Sequence, residues 1–131
     1  MPPLPVREDL LPLLDGGALG HLATISPTGQ PQLNPVWFLW ENDHLLISVK
    51  PETVKYRNLR ANPRVAMSIL DPADNYRYLE VRGEVVDFTL FTDLTFVNRL
   101  ARKYTGADFR SGVAGEERYR ITIRVDTWTG Q

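Results

Sequence analysis

The residues best suited to chemistry lie where an apolar run, Leu45-Leu46-Ile47-Ser48-Val49, hands over to Lys50 and Pro51. Lys50, Lys55, Arg57, Arg60 and Arg64 place five basic side chains within 15 residues, and Glu52 is the only acid among them. A strand turning into a helix that opens with proline, with no Ser, Thr, Asp or Asn cap just before Pro51, is expected to leave backbone N–H groups free. The positive end of the helix dipole is then free as well, and a phosphate could dock there. Residues two apart on a helix diverge by about 200°, so Lys55 and Arg57 cannot both face one anion, and Lys55 is the better placed. The same spacing also fits a solvated amphipathic helix, with Tyr56 and Leu59 toward a core and the basic residues in water.

Aromatic residues supply a second candidate surface. Trp37, Phe38 and Trp40 fall on one predicted strand, and Tyr76 and Tyr78 share a face of another. They can border a flat ring, or equally serve as core or dimer-interface residues.

Other chemistries lack their residues. The chain has no nucleophile elbow, phosphate loop, dinucleotide glycine fingerprint or two-histidine metal helix. His21, early in a strand, and His44, beside a turn, have no partner at ligand spacing, and Glu80, Glu84 and Asp87 read as a solvated strand face. No catalytic side chain and no metal ligand is assigned. With no cysteine, disulfides, thiolate metal sites and cysteine nucleophiles are excluded.

The elements that must position these residues follow from periodicity and turn chemistry. An apolar helix over Leu10–Leu14 is expected to end at Gly16-Gly17, with Pro12 marking a break. Strands are expected over Leu19–Ile25, Leu33–Trp40, Leu45–Val49, Val65–Leu70, Tyr76–Phe88 and Tyr119–Val125, with Gly83 a bend in the fifth. Helices are expected from Pro51 to a stop at Asn62-Pro63 and over Leu94–Tyr104, and residues 106–117 read as a surface loop. Six strands and three helices in 131 residues imply one mainly β domain, residues 1–131, built as an antiparallel barrel or a strongly coiled sheet.

Fifteen basic against 16 acidic residues give a net charge of −1, which argues against nucleic acid as a partner. No apolar run approaches membrane-spanning length and the start has no signal-peptide pattern, so a cytoplasmic protein is expected.

Three stretches then resemble the pyridoxamine 5′-phosphate oxidase-like split-barrel superfamily, and within it the actinobacterial deazaflavin-dependent reductases that use coenzyme F420. They are Gly20-His21-Leu22-Ala23-Thr24-Ile25 with Gly29 to Val36 after it, Lys55 to Arg64, and Tyr78-Leu79-Glu80-Val81-Arg82-Gly83. The likeness runs from about Leu10 to Val125. It implies a homodimeric, six-stranded, FMN-binding-like split β-barrel with the cofactor in a cleft between the two barrels. The matching positions are Gln32, Asn34, Pro35 and Val36 on the ring side, Ser48, Val49 and Lys50 at the connection, and Lys55, Arg57 and Asn58 on the helix. Tyr76 and Tyr78 match aromatic positions that border the pocket from the other subunit.

FMN-using relatives place more basic residues on the second and third strands, whereas this chain has Pro35-Val36-Trp37-Phe38-Leu39 there. That departure favours coenzyme F420 over FMN. Thr53 stands where some deazaflavin relatives have arginine. The resemblance thus implies a reductase that passes hydride from reduced coenzyme F420 to an electron-poor conjugated double bond in a small molecule, such as an enone or unsaturated lactone. The alternatives are an FMN-dependent oxidase or reductase on the same fold, and a non-catalytic cofactor- or haem-binding module.

Overall fold

The computed structural model describes residues 1–110, 112, 113 and 115–131; Ser111 and Ala114, within the expected 106–117 loop, lie outside the described residues. The chain runs through a 3-10 turn (Glu8–Leu10), α1 (Leu11–Asp15), β1 (Gly20–Ile25), β2 (Pro31–Val36), β3 (Leu39–Glu41), β4 (His44–Val49), α2 (Val54–Ala61), β5 (Arg64–Leu70), β6 (Tyr78–Phe91), α3 (Thr95–Thr105) and β7 (Arg118–Gly130). The strands form one antiparallel sheet in the order β2-β1-β5-β6-β7-β4-β3. This is the mainly β, split-barrel architecture expected, with seven strands in place of six.

The extra strand arises because the predicted Leu33–Trp40 run is broken. Trp37 and Phe38 leave the ladder, and the Phe38 N–H is donated to the Tyr104 hydroxyl at 3.2 Å instead of to a neighbouring strand. The phenyl ring of Phe38 turns fully into the core. β2 and β3 are the two edges of the sheet, yet only these two residues separate them, and consecutive Cα atoms are about 3.8 Å apart. The edges therefore meet at that corner, and the sheet curls into a barrel left unpaired along the rest of its seam.

Curling needs bends in the long strands. The β6·β7 ladder shifts register between Arg82 and Gly83 and again between Val85 and Asp87. A Cβ at Gly83 would lie 1.8 Å from the Arg124 carbonyl oxygen, so only glycine permits this approach.

Inside the barrel, Leu45, Ile47, Met67, Ile69, Leu79, Ile121 and Ile123 are fully buried, each worth about 1.5–3 kcal/mol on transfer from water. Leu10 and Leu14, from the 3-10 turn and α1, are buried in the same core. Pro12 lies in the first turn of α1, where its missing N–H costs nothing, so it starts the helix instead of breaking it. Leu59 of α2 packs into the same core, while Phe96 and Leu100 of α3 cover the outer face of β4 at Leu46.

The second helix departs from expectation at its start. Pro51 and Glu52 form a turn, and the helix begins at Val54 with Thr53 as its cap. The Thr53 hydroxyl accepts from the Tyr56 N–H at 3.2 Å and donates to the Lys50 carbonyl at 2.8 Å. The expected uncapped end is thus corrected, and any anion held nearby must be attracted mainly by side chains.

Candidate functional site

β4 and β7 pair so that Ser48 lies opposite Arg120, and Val49 opposite Tyr119. Alternation then sends Ile47, Val49 and Ile121 into the core and Ser48, Arg118 and Arg120 to the outer face. Outside that face lies a cavity of about 220 Å³ whose polar lining is Ser48, Lys55 and Arg118. Its apolar lining comes from Val36 and Trp37 at the end of β2, Val97 and Leu100 of α3, and Phe109.

The polar groups are unusually short of partners. Ser48 Oγ and Arg118 Nε are buried with no hydrogen-bond partner among the described residues. Arg118 is only 9% exposed; its guanidinium lies 5.3 Å from the centre of the Phe109 ring, and one terminal nitrogen is 3.4 Å from Glu116. Burial pushes the Lys55 ammonium below its usual pKa, and no carboxylate offsets the shift. Buried donors of this kind normally find an acceptor, so the cavity is suited to an anion.

Of the expected cofactor-site residues, Pro35, Val36, Ser48 and Lys55 are brought together on this cavity. Gln32 and Asn58 do not line it and are joined in a network instead: the Asn58 amide donates to Thr24 Oγ1 at 3.1 Å and to Gln32 Oε1 at 3.4 Å, with Asn58 only 2% exposed. That network ties α2 to β1 and β2. Asn34 is half-buried on the same side of β2 as Gln32 and Val36. Lys50 pairs with Glu116 at 2.7 Å, and this contact holds the Glu116 carboxyl below its usual range. Val49 packs inward, Arg57 is exposed, and Tyr78 is half-buried at the start of β6. Tyr76 is 82% exposed in the turn before β6, so the two tyrosines do not share one regular strand.

The expected five-cation patch disperses. Arg60 lies 3.7 Å from the centre of the Phe88 ring and donates to the Tyr56 hydroxyl at 2.8 Å, and Arg64 sits 3.9 Å from Glu84. Of the five, Lys55 alone lines the cavity.

Sequence reasoning missed Arg118, which falls between the expected 106–117 loop and the expected Tyr119–Val125 strand and is in fact the first residue of β7. Its signal was the alternation Arg118, Tyr119, Arg120, Ile121, which sets two cations on one face of a strand whose other face is core. Phe109, Val97 and Leu100 were missed because nothing in their spacing distinguishes a cavity wall from ordinary packing. A second hollow of about 390 Å³ shares Trp37 and Phe109 with the first. His21 is exposed and His44 Nδ1 lies 2.6 Å from the Asn42 carbonyl; no group of three potential metal ligands occurs among the described residues. No helix of the described residues is long and apolar enough to cross a membrane.

Comparison with known proteins adds the following. Residues 7–130 match the family model described as pyridoxamine 5′-phosphate oxidase. A solved structure called an F420 reductase is 39% identical, with a TM-score of 0.87, and the match covers 96% of this chain and all of that one. A putative pyridoxamine 5′-phosphate oxidase from Lactobacillus delbrueckii is 17% identical, with a TM-score of 0.66 over 98% of this chain and 99% of that one. General Stress Protein 26 from Bacillus anthracis is 20% identical, with a TM-score of 0.69 over 94% of this chain and 91% of that one. At these last two identities the likeness is one of fold.

Proposed function

This chain belongs to the pyridoxamine 5′-phosphate oxidase family, and we propose that it is a reductase that draws hydride from reduced coenzyme F420. The observation that carries this reading is the convergence of Ser48 Oγ, Lys55 and Arg118 on one cavity with few internal partners. Similarity to an F420 reductase over nearly the whole chain supports the choice of cofactor.

The residues fit a phosphate-bearing cofactor. Ser48, Lys55 and Arg118 would hold the phosphate, with Lys50 in reserve behind Glu116. Pro35, Val36 and Trp37 would form the wall for a flat ring, with Gln32 and Asn34 on the same strand. Val49 and Asn58 would work from behind, keeping β4 and α2 in place. Arg57 would act from the helix that carries Lys55, and Tyr76 and Tyr78 would meet a cofactor held by the second subunit of a homodimer. A strongly exposed tyrosine at 76, and Leu33 at 65% exposure, support a surface that a second copy would cover.

When bound, the reduced deazaflavin would supply hydride to an electron-poor conjugated double bond, such as that of an enone or unsaturated lactone. The chain's own work is to bind, orient and exclude water. No side chain is required as a nucleophile, and solvent would supply the product's proton. The absence of cations on Pro35 to Leu39 favours this cofactor over FMN, which the family also suggests. We place the protein in the cytoplasm.

Adding each cofactor to the purified protein separates the readings. Coenzyme F420 should bind with a change in its absorption and fluorescence, and stoichiometric retention of FMN in its place would overturn the assignment. With reduced coenzyme F420 and a panel of quinones, enones and tetrapyrroles, turnover is expected on the activated alkenes. Tight binding without turnover on any of them would point to a non-catalytic module.

A further inference from the structure

The corner where the two sheet edges meet, Trp37-Phe38, sets Trp37 in the wall of the cavity, and it has little support from the sheet itself. What holds it comes from the end of α3. Lys103 Nζ donates to the Phe38 carbonyl and to the Leu14 carbonyl, both at 2.8 Å, and lies 3.8 Å from the centre of the Phe38 ring. The Tyr104 hydroxyl accepts the Phe38 N–H at 3.2 Å and lies 3.3 Å from the Ala18 carbonyl oxygen and 3.4 Å from that of Phe38. Its single proton can serve only one of those two carbonyls. The Tyr104 ring stacks on the Trp37 indole, 5.4 Å between centres and 6° from parallel, and Phe109 meets the indole edge-on at 6.2 Å.

We propose that Lys103 and Tyr104 are positioning residues for the cofactor cavity: by clamping the Trp37-Phe38 corner they set where the Trp37 indole stands against the bound ring. This rests on the reading of the cavity as a cofactor site. Four features support it. Phe38 lies between strands, so its N–H and C=O have no ladder partner other than these side chains. Two acceptors on one ammonium fix a point in space more firmly than one would. The stack passes the position of the Tyr104 ring directly to the Trp37 ring. Trp37 lines both the anion-holding cavity and the hollow beside it, so a shift of its ring changes the partition between the two.

Lys103 contacts no group at the anion end, and neither residue lines the cavity. Their effect on binding is therefore indirect, and Trp37, on which Tyr104 stacks, is the lining residue it reaches first.

The test uses Tyr104→Phe, which keeps the ring and removes the hydroxyl, Lys103→Met, which keeps the stem and removes the charge, and Lys103→Arg as the conservative variant. Two readouts are taken in the full-length protein: the dissociation constant for coenzyme F420, and the exchange rate of the Phe38 amide by NMR. If the clamp positions the wall, Tyr104→Phe and Lys103→Met weaken coenzyme F420 at least fivefold, Lys103→Arg recovers part of the loss, and Phe38 exchange rises at least tenfold in Tyr104→Phe. In turnover assays the change should appear in KM for the cofactor more than in kcat. Folded variants with parental affinity and parental Phe38 exchange would overturn the proposal. Should the parent itself fail to bind coenzyme F420, the cofactor reading falls. The clamp is then judged on Phe38 exchange alone: faster exchange in Tyr104→Phe upholds it and unchanged exchange refutes it.

Discussion

The two faces of the β4·β7 ladder share one backbone and differ in almost everything else. Toward the barrel interior, Leu45, Ile47, Val49, Ile121 and Ile123 are buried against one another with no polar atom among their side chains. Toward α3, the alternate positions carry Ser48, Arg118 and Arg120, each with a buried polar atom lacking a partner among the described residues. A buried donor left unsatisfied costs about 1–3 kcal/mol. Packing is complete on one face, then, while the other keeps hydrogen-bonding capacity that none of the described residues satisfies. A protein can carry such a deficit at a binding site, because the ligand removes it.

That contrast can be broken from either side, and the largest effect belongs to the inner face. Ile121→Ala should destabilise the fold by about 2–5 kcal/mol, seen as a lower urea midpoint. Coenzyme F420 affinity of the remaining folded protein should be unchanged, and a matching loss of affinity would mean that the faces are not independent. Arg118→Met should do the reverse. Loss of one charge-assisted contact of about 1.5–3 kcal/mol should weaken the cofactor roughly 10- to 150-fold in a fluorescence titration. The melting temperature should hold or rise, since a buried, poorly paired cation is removed.

Smaller effects sharpen the comparison. Ser48→Ala removes an orphaned hydroxyl and should weaken the cofactor by about 0.5–1.5 kcal/mol with no loss of thermal stability, by calorimetry. The finest test is a pH series on Lys103, whose ammonium burial pushes down to about 8, against partial opposition from Asp15. The unfolded chain, titrating near 10.5, holds more protons between these values, so this group's contribution to stability rises with pH from 8 to 10.5. The melting temperature of the parent relative to Lys103→Met should climb across that window; a flat difference would show that Lys103 is not desolvated.

Much of this arrangement was legible in the order of residues. The strand-turn-strand beginning at Gly20, the helix carrying Lys55 and the bend at Gly83 follow from local patterns, and all three are present, although the second strand ends early at Val36 and the helix starts late at Val54. The seam at Trp37-Phe38 was not legible, because nothing in Val36 to Trp40 says that the N–H of Phe38 will be taken by a tyrosine 66 residues away. The cap at Thr53 was readable but passed over, since Pro51 looked like a helix opening and the true start lies three residues on. Arg118 escaped for a different reason: a cation at the head of a strand is ordinary until the fold shows which face it is on.

The unpaired seam leaves two free sheet edges, and unprotected edges invite strands from other molecules. Here one edge is β3, only three residues long, and the other is β2, where Pro31 and Pro35 take two of six positions and offer no N–H. An incoming strand would find too short a template on one side and an interrupted row of donors on the other. A barrel with an open seam is in this way kept from seeding aggregates.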